Sequence, residues 1–250
     1  MRVEFSRLET TPPATIRWVR DAYDNSAAIA TFSAPAWRLE IASRVVVQQH
    51  NETPLDFLVA DYAVQYPFTY DYDTYAVLQP FMVCQPQTDL AVLRTWVESF
   101  WKPGEAVQTY GLLARLCLGI KRTFFYQVRE EPGVQTVGET LSRGIGSCRD
   151  FANLLMEAAR YLGLAARFVS GYLYVPAADA RSGATHAWTE IYLPGAGWKG
   201  FDPTSGDVAG SEHIAVAVAR LPESVSPVTG SFFGPVGAEL EVGVWVRAAE

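Results

Sequence analysis

An amphipathic helix that starts directly after a glycine-containing loop constrains this chain more than any other feature. Its apolar residues recur three or four positions apart, as on one face of a helix: Phe151, Leu154, Leu155, Ala158 and Leu162. Gly163 follows, where helices commonly end on a left-handed glycine. Ser147 and Asp150 have the spacing of a capping box, which puts Ser147 at the N-cap and Cys148 at the first helical position. The chain is therefore expected to place a cysteine at a helix N-terminus.

The position of Cys148 at a helix N-terminus affects the reactivity of its thiol. The unpaired N–H groups and the dipole of a helix N-terminus carry partial positive charge, which favours a thiolate. The same N–H groups can hold an oxyanion when the thiolate attacks a carbonyl. Gly144 and Gly146 leave room for the backbone of a substrate. The pattern alone does not establish a nucleophile, because a cysteine can fall near a helix start by chance.

The chain has three histidines that could act as the base for Cys148. His50 lies in a polar, turn-like segment, and His213 follows a Gly-Ser-Glu stretch, so both are interpreted as surface residues. His186 differs, because it opens a strand-like run of apolar and β-branched residues. His186 is therefore the candidate base.

A predicted β-hairpin supplies a partner for this histidine. The strand-like runs 186–193 and 198–202 are separated by a Pro-Gly-Ala-Gly breaker. A turn centred on Pro194 would place His186 directly opposite Asp202, with Cβ atoms about 4.5–5.5 Å apart. A bulge would shift this register by one residue. In this arrangement Cys148 attacks, His186 takes its proton or pairs with the thiolate, and Asp202 orients the imidazole.

Composition excludes several other classes of protein. The 250 residues can form one large domain or two modest ones, and a net charge of −7 leaves no basic footprint for nucleic acid. No run approaches the ~18 apolar residues of a membrane span, and the N-terminus lacks the apolar core of a signal peptide. We expect no membrane association, no cofactor and, without clustered Cys and His, no metal site. The sparse, odd set of Cys84, Cys117 and Cys148 indicates a reducing compartment, so a cytoplasmic location is predicted.

The chain divides by pattern into two predicted domains. Residues 1–85 are predicted to form a small β-rich domain, with strand-like runs at 44–47 and 57–60. An aromatic-rich stretch from Tyr62 to Tyr75 is interpreted as a pleated, half-buried surface, or alternatively as a wall for a ligand. Residues 86–250 are predicted to form the core.

Helical spacing begins after Asp89. Apolar residues predict one helix from Leu90 to Phe100, a break at Pro103 and Gly104, and a second helix from Val107 to Ile120. Cys117 lies on the apolar face of the second helix and is interpreted as a buried core residue.

Several blocks of sequence resemble the transglutaminase-like superfamily. They are 146–152 (GSCRDFA), 162–172 (LGLAARFVSGY), 185–188 (THAW) and 201–204 (FDPT), within a resemblance that covers roughly residues 90–235. The resemblance implies an α+β, papain-like core, in which the helix carrying the nucleophilic cysteine packs on an antiparallel sheet. It assigns the roles of nucleophile, base and orienting residue to Cys148, His186 and Asp202.

Three aromatic residues are candidates for the substrate cleft. Trp188 neighbours the histidine, and Trp101 and Tyr126 could line the cleft or stabilise an oxyanion. For each, an aromatic residue of the core is the alternative, and the more common, interpretation.

Three functions remain open on the sequence. The first is a cysteine peptidase or amidase that transfers the acyl group of a peptide or protein to water through a thioester. The second is acyl transfer to an amine, a transglutaminase reaction, which shares that intermediate. The third is a non-catalytic module that binds peptides. The sequence identifies neither the substrate nor the oligomeric state.

Overall fold

A computed structural model describes residues 1–50, 53–85, 89–175, 184–234, 237 and 239–249. Its strands are β1 (Arg2–Thr11), β2 (Thr15–Arg20), β3 (Ser26–Thr31), β4 (Glu40–Gln48), β5 (Gln65–Tyr66), β6 (Val107–Gln108), β7 (Phe125–Tyr126), β8 (Ile145–Gly146), β9 (Ala166–Leu173), β10 (Ala184–Leu193), β11 (Gly197–Asp202), β12 (Asp207–Val208) and β13 (His213–Ala219). Its α-helices are α1 (Tyr72–Met82), α2 (Leu90–Val97), α3 (Thr109–Thr123), α4 (Val137–Arg143) and α5 (Cys148–Tyr161). Short 3₁₀ helices cover Asp61–Ala63 and Pro222–Val225. Among the described residues, no helix has the length and apolarity needed to cross a membrane.

The centre of the fold is an antiparallel sheet with α5 packed against it. Its strand order is β12-β11-β10-β9-β13. Helix α5 lies on β10 and β9, and the hydroxyl of Thr189 in β10 donates to the carbonyl of Ala152 at 2.7 Å. The apolar residues that predict this helix are buried, so the sequence pattern is explained by packing on the sheet. The expected α+β, papain-like arrangement of helix and antiparallel sheet is confirmed.

Helices α2 and α3 occupy the segments where helical spacing predicts them. Leu93 and Val97 of α2 are buried, and the chain turns at Pro103 and Gly104 before α3. Cys117 of α3 is buried among apolar side chains, which confirms its interpretation as a core residue.

The first part of the chain contains two separate antiparallel pairs, β1 with β4 and β2 with β3. Strand β4 includes the predicted run 44–47. The predicted strand at 57–60 is wrong, because this segment lies along the hairpin turn instead of joining a ladder. The N–H of Ala60 donates to the carbonyl of Pro194 at 2.8 Å, and the ring of Phe57 packs edge-on against Tyr110.

The aromatic-rich stretch is not one pleated surface. From Tyr72 onward it forms α1, whose N-cap Asp71 accepts from the N–H of Thr74 at 3.0 Å. The hydroxyl of Tyr66 donates to the carbonyl of Leu162 at 2.8 Å, so this tyrosine fastens the stretch to the end of α5. Tyr70 is likewise buried, which makes both tyrosines anchors of the core. The domain boundary between residues 85 and 86 stays a prediction, and residue 86 lies outside the described residues.

Candidate active site

The start of α5 is organised around the buried carboxylate of Asp150. This side chain accepts from the backbone N–H of Ser147 at 2.8 Å and from its hydroxyl at 2.7 Å. It also accepts from the N–H of Gln135 at 2.7 Å and forms an ion pair with Arg129 at 2.6 Å. Burial alone would raise the pKa of Asp150, but these donors outweigh it and lower the pKa. Ser147 is the N-cap and Cys148 the first helical residue, as predicted.

A short parallel ladder places Tyr126 beside this cysteine. Strands β7 and β8 pair Tyr126 with Gly146, and the N–H of Gln127 donates to the carbonyl of Gly146 at 2.9 Å. Partial burial raises the pKa of Tyr126, and the neighbouring Cys148 raises it further through its charge and a hydrogen bond. Tyr126 therefore lies beside Cys148. Its expected place in the substrate cleft stays a prediction.

The hairpin that carries the histidine and the aspartate has a different register from the expected one. Leu193 pairs with Gly197 and Thr189 with Phe201, so the turn is centred on Gly195, one residue later than predicted. Gly195 has a φ of 83°, a conformation that favours glycine. Continuing this register puts Trp188 opposite Asp202, so the predicted direct opposition of His186 and Asp202 is wrong.

The two side chains nevertheless meet. They are diagonal neighbours across the hairpin, a separation that long side chains can bridge. His186 Nε2 lies 2.9 Å from Asp202 Oδ2, and both side chains are buried. The second carboxylate oxygen of Asp202 accepts from the N–H of Thr204 at 2.9 Å. Because Nε2 of His186 is bonded to the carboxylate, Nδ1 is the ring nitrogen left for Cys148.

The electrostatics of this group favour a charged imidazole. Burial disfavours the imidazolium, but the hydrogen bonds and charges of Asp202 and Cys148 outweigh it and raise the pKa of His186 to about 9. Burial also acts against the charge of Asp202, whose pKa is nevertheless lowered by the hydrogen bonds from two histidines. At neutral pH a cation therefore lies between the thiol and the carboxylate.

The two candidate tryptophans differ in their surroundings. The ring of Trp188 lies 6.1 Å from that of His186 and is almost fully buried, so it supports the imidazole from within the core. The indole N–H of Trp101 donates to the carbonyl of Glu105 at 2.8 Å, and its ring packs edge-on against Tyr66. Among the described residues, no hydrogen bond or ring contact joins Trp101 to Cys148 or His186.

His213 belongs to this site, and its interpretation as a surface residue is wrong. Its Nε2 lies 3.2 Å from Asp202 Oδ2, and only 10% of its side chain is exposed. It opens a strand of apolar residues, as His186 opens a strand-like run in the sequence, and this pattern could have revealed it. Ligand atoms of His186, Asp202 and His213 lie within 4.8 Å of one another. However, the N–H of Gly210 donates to Nδ1 of His213, which leaves Nε2 of a neutral ring as a donor to Asp202 rather than a metal ligand.

Comparisons with known proteins identify a family model and several relatives that this chain resembles. Residues 103–203 match the model of the transglutaminase-like superfamily. Protein ML0607 of Mycobacterium leprae is 28% identical over 97% of this chain and 85% of its own length. Protein Rv2569c of Mycobacterium tuberculosis is 37% identical over 39% of this chain and 34% of its own length.

A solved structure shares the fold. A candidate cysteine protease from Cytophaga hutchinsonii superposes with a TM-score of 0.59 at 19% identity, covering 90% of this chain and 73% of that one. The chain thus shares the fold of that protein. Its segment 103–203, which carries Cys148, His186 and Asp202, belongs to the transglutaminase-like superfamily.

Proposed function

We propose that this protein hydrolyses amide bonds in peptides or proteins, with Cys148 as the nucleophile. One observation carries the proposal: Cys148 occupies the first position of α5, and His186 lies between it and the buried carboxylate of Asp202. A helix N-terminus, an imidazole and an orienting carboxylate are the parts that an activated thiol requires.

The reaction follows from the positions of these groups. Cys148 Sγ attacks the substrate carbonyl while His186 is protonated, and the resulting oxyanion faces the N–H groups at the start of α5. His186 gives its proton to the leaving nitrogen as the C–N bond breaks, which leaves a thioester on Cys148. Neutral His186 then takes a proton from water as the hydroxide attacks. The thiolate leaves, and the product is a carboxylic acid.

Access of water favours hydrolysis over acyl transfer. In the described part of the chain Cys148 is partly exposed, and 49% of Tyr126 is exposed. Water can therefore reach a thioester formed at this position. Acyl transfer would require an amine to compete with water for the same intermediate.

The test separates the three candidate functions in one reaction. The wild-type protein is incubated with a diverse peptide library and a labelled primary amine, and the products are identified by mass spectrometry. Hydrolysis predicts new peptide termini or deamidated side chains without the label. Incorporation of the label in place of cleavage would establish acyl transfer instead, and peptide binding without any product would favour a binding module.

Two variants make the outcome specific. Cys148→Ala should abolish every product, because it removes the nucleophile. Cys84→Ala is the matched control, since Cys84 is also partly exposed but contacts Glu157 rather than His186. Equal loss of product in both variants would contradict the assignment of Cys148.

A further inference from the structure

We propose that His213 is a positioning residue that holds the carboxylate of Asp202 for His186, an inference that rests on the proposed role of Cys148 and His186. The site would then contain four side chains in a line of contacts: Cys148, His186, Asp202 and His213. The argument depends on the tautomer of His213, on the donors of Asp202 and on the rigidity of β13.

The tautomer of His213 is fixed by the backbone N–H of Gly210, three residues before β13 begins. The N–H of Gly210 donates to Nδ1 at 3.2 Å, so in the neutral ring the hydrogen is on Nε2. That nitrogen lies 3.2 Å from Asp202 Oδ2. The geometry therefore makes His213 a donor to the same oxygen that binds His186.

The carboxylate of Asp202 is consequently held at both oxygens. Oδ2 accepts from His186 and His213, and Oδ1 accepts from the N–H of Thr204. A buried carboxylate with a single donor at Oδ2 could rotate about its side-chain bonds, and the ring of His186 would rotate with it. The second donor removes this freedom, so His213 acts on the orientation of His186 through Asp202.

His213 is itself held from several directions. Its ring packs edge-on against Trp188 with centroids 5.1 Å apart. Its N–H donates to the carbonyl of Gly210 at 3.1 Å, and its carbonyl accepts from the side chain of Gln49 at 2.7 Å. A ring fixed in this way can fix its neighbour, which a mobile surface histidine could not.

Charged and titratable groups near His213 come from two strands, β10 and β11. Asp202 of β11 and His186 of β10 contact it directly, and Glu190 and Lys199 line the same cavity of about 140 Å³ as the rings of His213 and Trp188. Of these, Asp202 accepts the Nε2 hydrogen of His213 and also binds His186. The effect of removing His213 should therefore reach Cys148 through Asp202.

The first measurement needs no variant. Nitrogen NMR of histidine-labelled wild-type protein near neutral pH reports which ring nitrogen carries the hydrogen. We expect a neutral His213 with hydrogen on Nε2 and none on Nδ1. Hydrogen on Nδ1 alone would overturn the proposal, because Nε2 could then not donate to Asp202.

The second measurement is the pH profile of Cys148 alkylation by iodoacetamide. His213→Ala should lower the rate near neutral pH about tenfold, the scale seen when a partner that orients a histidine is removed elsewhere. His213→Gln should restore most of the rate, because its amide N–H₂ can reach Asp202 as Nε2 does. A folded His213→Ala protein with an unchanged profile would overturn the proposal, as would a His213→Gln protein no faster than the Ala variant.

These results are separable from those of the peptide assay. Alkylation reports the thiol alone, so a chain that shows the dependence on His213 but cleaves no peptide would contradict only the proposed function. Cleavage that is abolished by Cys148→Ala yet unaffected by His213→Ala would contradict only the role of His213. A loss in kcat with little change in KM would support positioning rather than substrate binding.

Discussion

At the scale of single residues, the three thiols of this chain have different surroundings. Burial and the adjacent Glu157 raise the pKa of Cys84 to about 12, and burial in the core likewise raises the pKa of Cys117. Cys148 is partly exposed at a helix N-terminus next to His186. The chain therefore contains two thiols held in the unreactive form and one with a cation beside it.

The first prediction concerns selective labelling of these thiols. With limiting iodoacetamide near neutral pH, Cys148 should be alkylated at least about tenfold faster than Cys84, because alkylation requires the thiolate. Peptide mapping by mass spectrometry measures the modified fraction at each site. In the Cys148→Ala variant no fast-reacting thiol should remain, and rapid labelling of Cys84 would contradict the prediction.

The second prediction concerns the pH dependence that His186 gives to Cys148. His186 has a pKa of about 9, so it is cationic below that pH and stabilises a neighbouring thiolate. In His186→Ala the alkylation rate near pH 6.5 should fall about tenfold or more, because a free thiol ionises only near pH 8.5. Near pH 10 the two proteins should react at similar rates, since His186 is then neutral.

Asp202→Asn tests the same interaction from the other side. The substitution removes the charge that raises the pKa of His186, so that pKa should fall toward or below the ordinary value of about 6.5. Alkylation near neutral pH should fall with it, while an unchanged profile would show that Asp202 does not act on the pair.

At the scale of elements, helix α5 could be predicted from sequence because its signals are local. The apolar spacing, the capping residues Ser147 and Asp150, and the terminal Gly163 all lie within 17 residues. The hairpin was also predictable, but its register was not, because Gly195 and Gly197 both adopt positive φ and shift the turn by one residue.

Other parts of the site depend on contacts between distant segments. His213 is 11 residues from Asp202 along the chain and reaches it only because β13 and β11 lie in one sheet. Arg129 reaches Asp150 from a segment without regular structure. Helix α4 carries a capping box at Thr136 and Glu139, a signal that was present in the sequence and missed.

The third prediction concerns the ion pair that holds the start of α5. Arg129→Met removes one of the donors to the buried carboxylate of Asp150, so the free energy of unfolding should fall by about 1.5–3 kcal/mol. Folding lowers the pKa of Asp150. Its carboxylate therefore stabilises the folded protein above the unfolded-state pKa of about 3.9, and this stabilisation is lost as the pH falls through the lower pKa of the folded state. The difference between the proteins should therefore shrink in acid.

Urea unfolding at several pH values measures this difference. Arg143→Met is the matched control, because Arg143 forms an exposed pair with Glu139 at 3.8 Å that should contribute at most about 0.5 kcal/mol. Equal destabilisation by both substitutions would contradict a special role for the pair at the helix start.

At the scale of the whole molecule, the N-terminal part of the chain is attached to the edge strand that carries His213. Asn25 donates to the carbonyl of Val218 at 2.7 Å and accepts from its N–H at 2.8 Å, so its amide imitates a neighbouring strand. Gln49, just after β4, binds the carbonyl of His213. The predicted cytoplasmic location remains a prediction, whereas these contacts give the N-terminal part a structural link to the site.

The fourth prediction tests whether that link reaches the thiol. Gln49→Ala removes one hydrogen bond from His213, a loss of about 1 kcal/mol or roughly fivefold, and we expect alkylation of Cys148 near neutral pH to fall by up to that factor. Gln48→Ala is the control, since Gln48 is the same residue type, adjacent in sequence and exposed. A rate unchanged by either substitution would mean that β13 holds His213 without help from the N-terminal part. A fall confined to Gln49→Ala would mean that the N-terminal part sets the reactivity of a cysteine about 100 residues away in sequence.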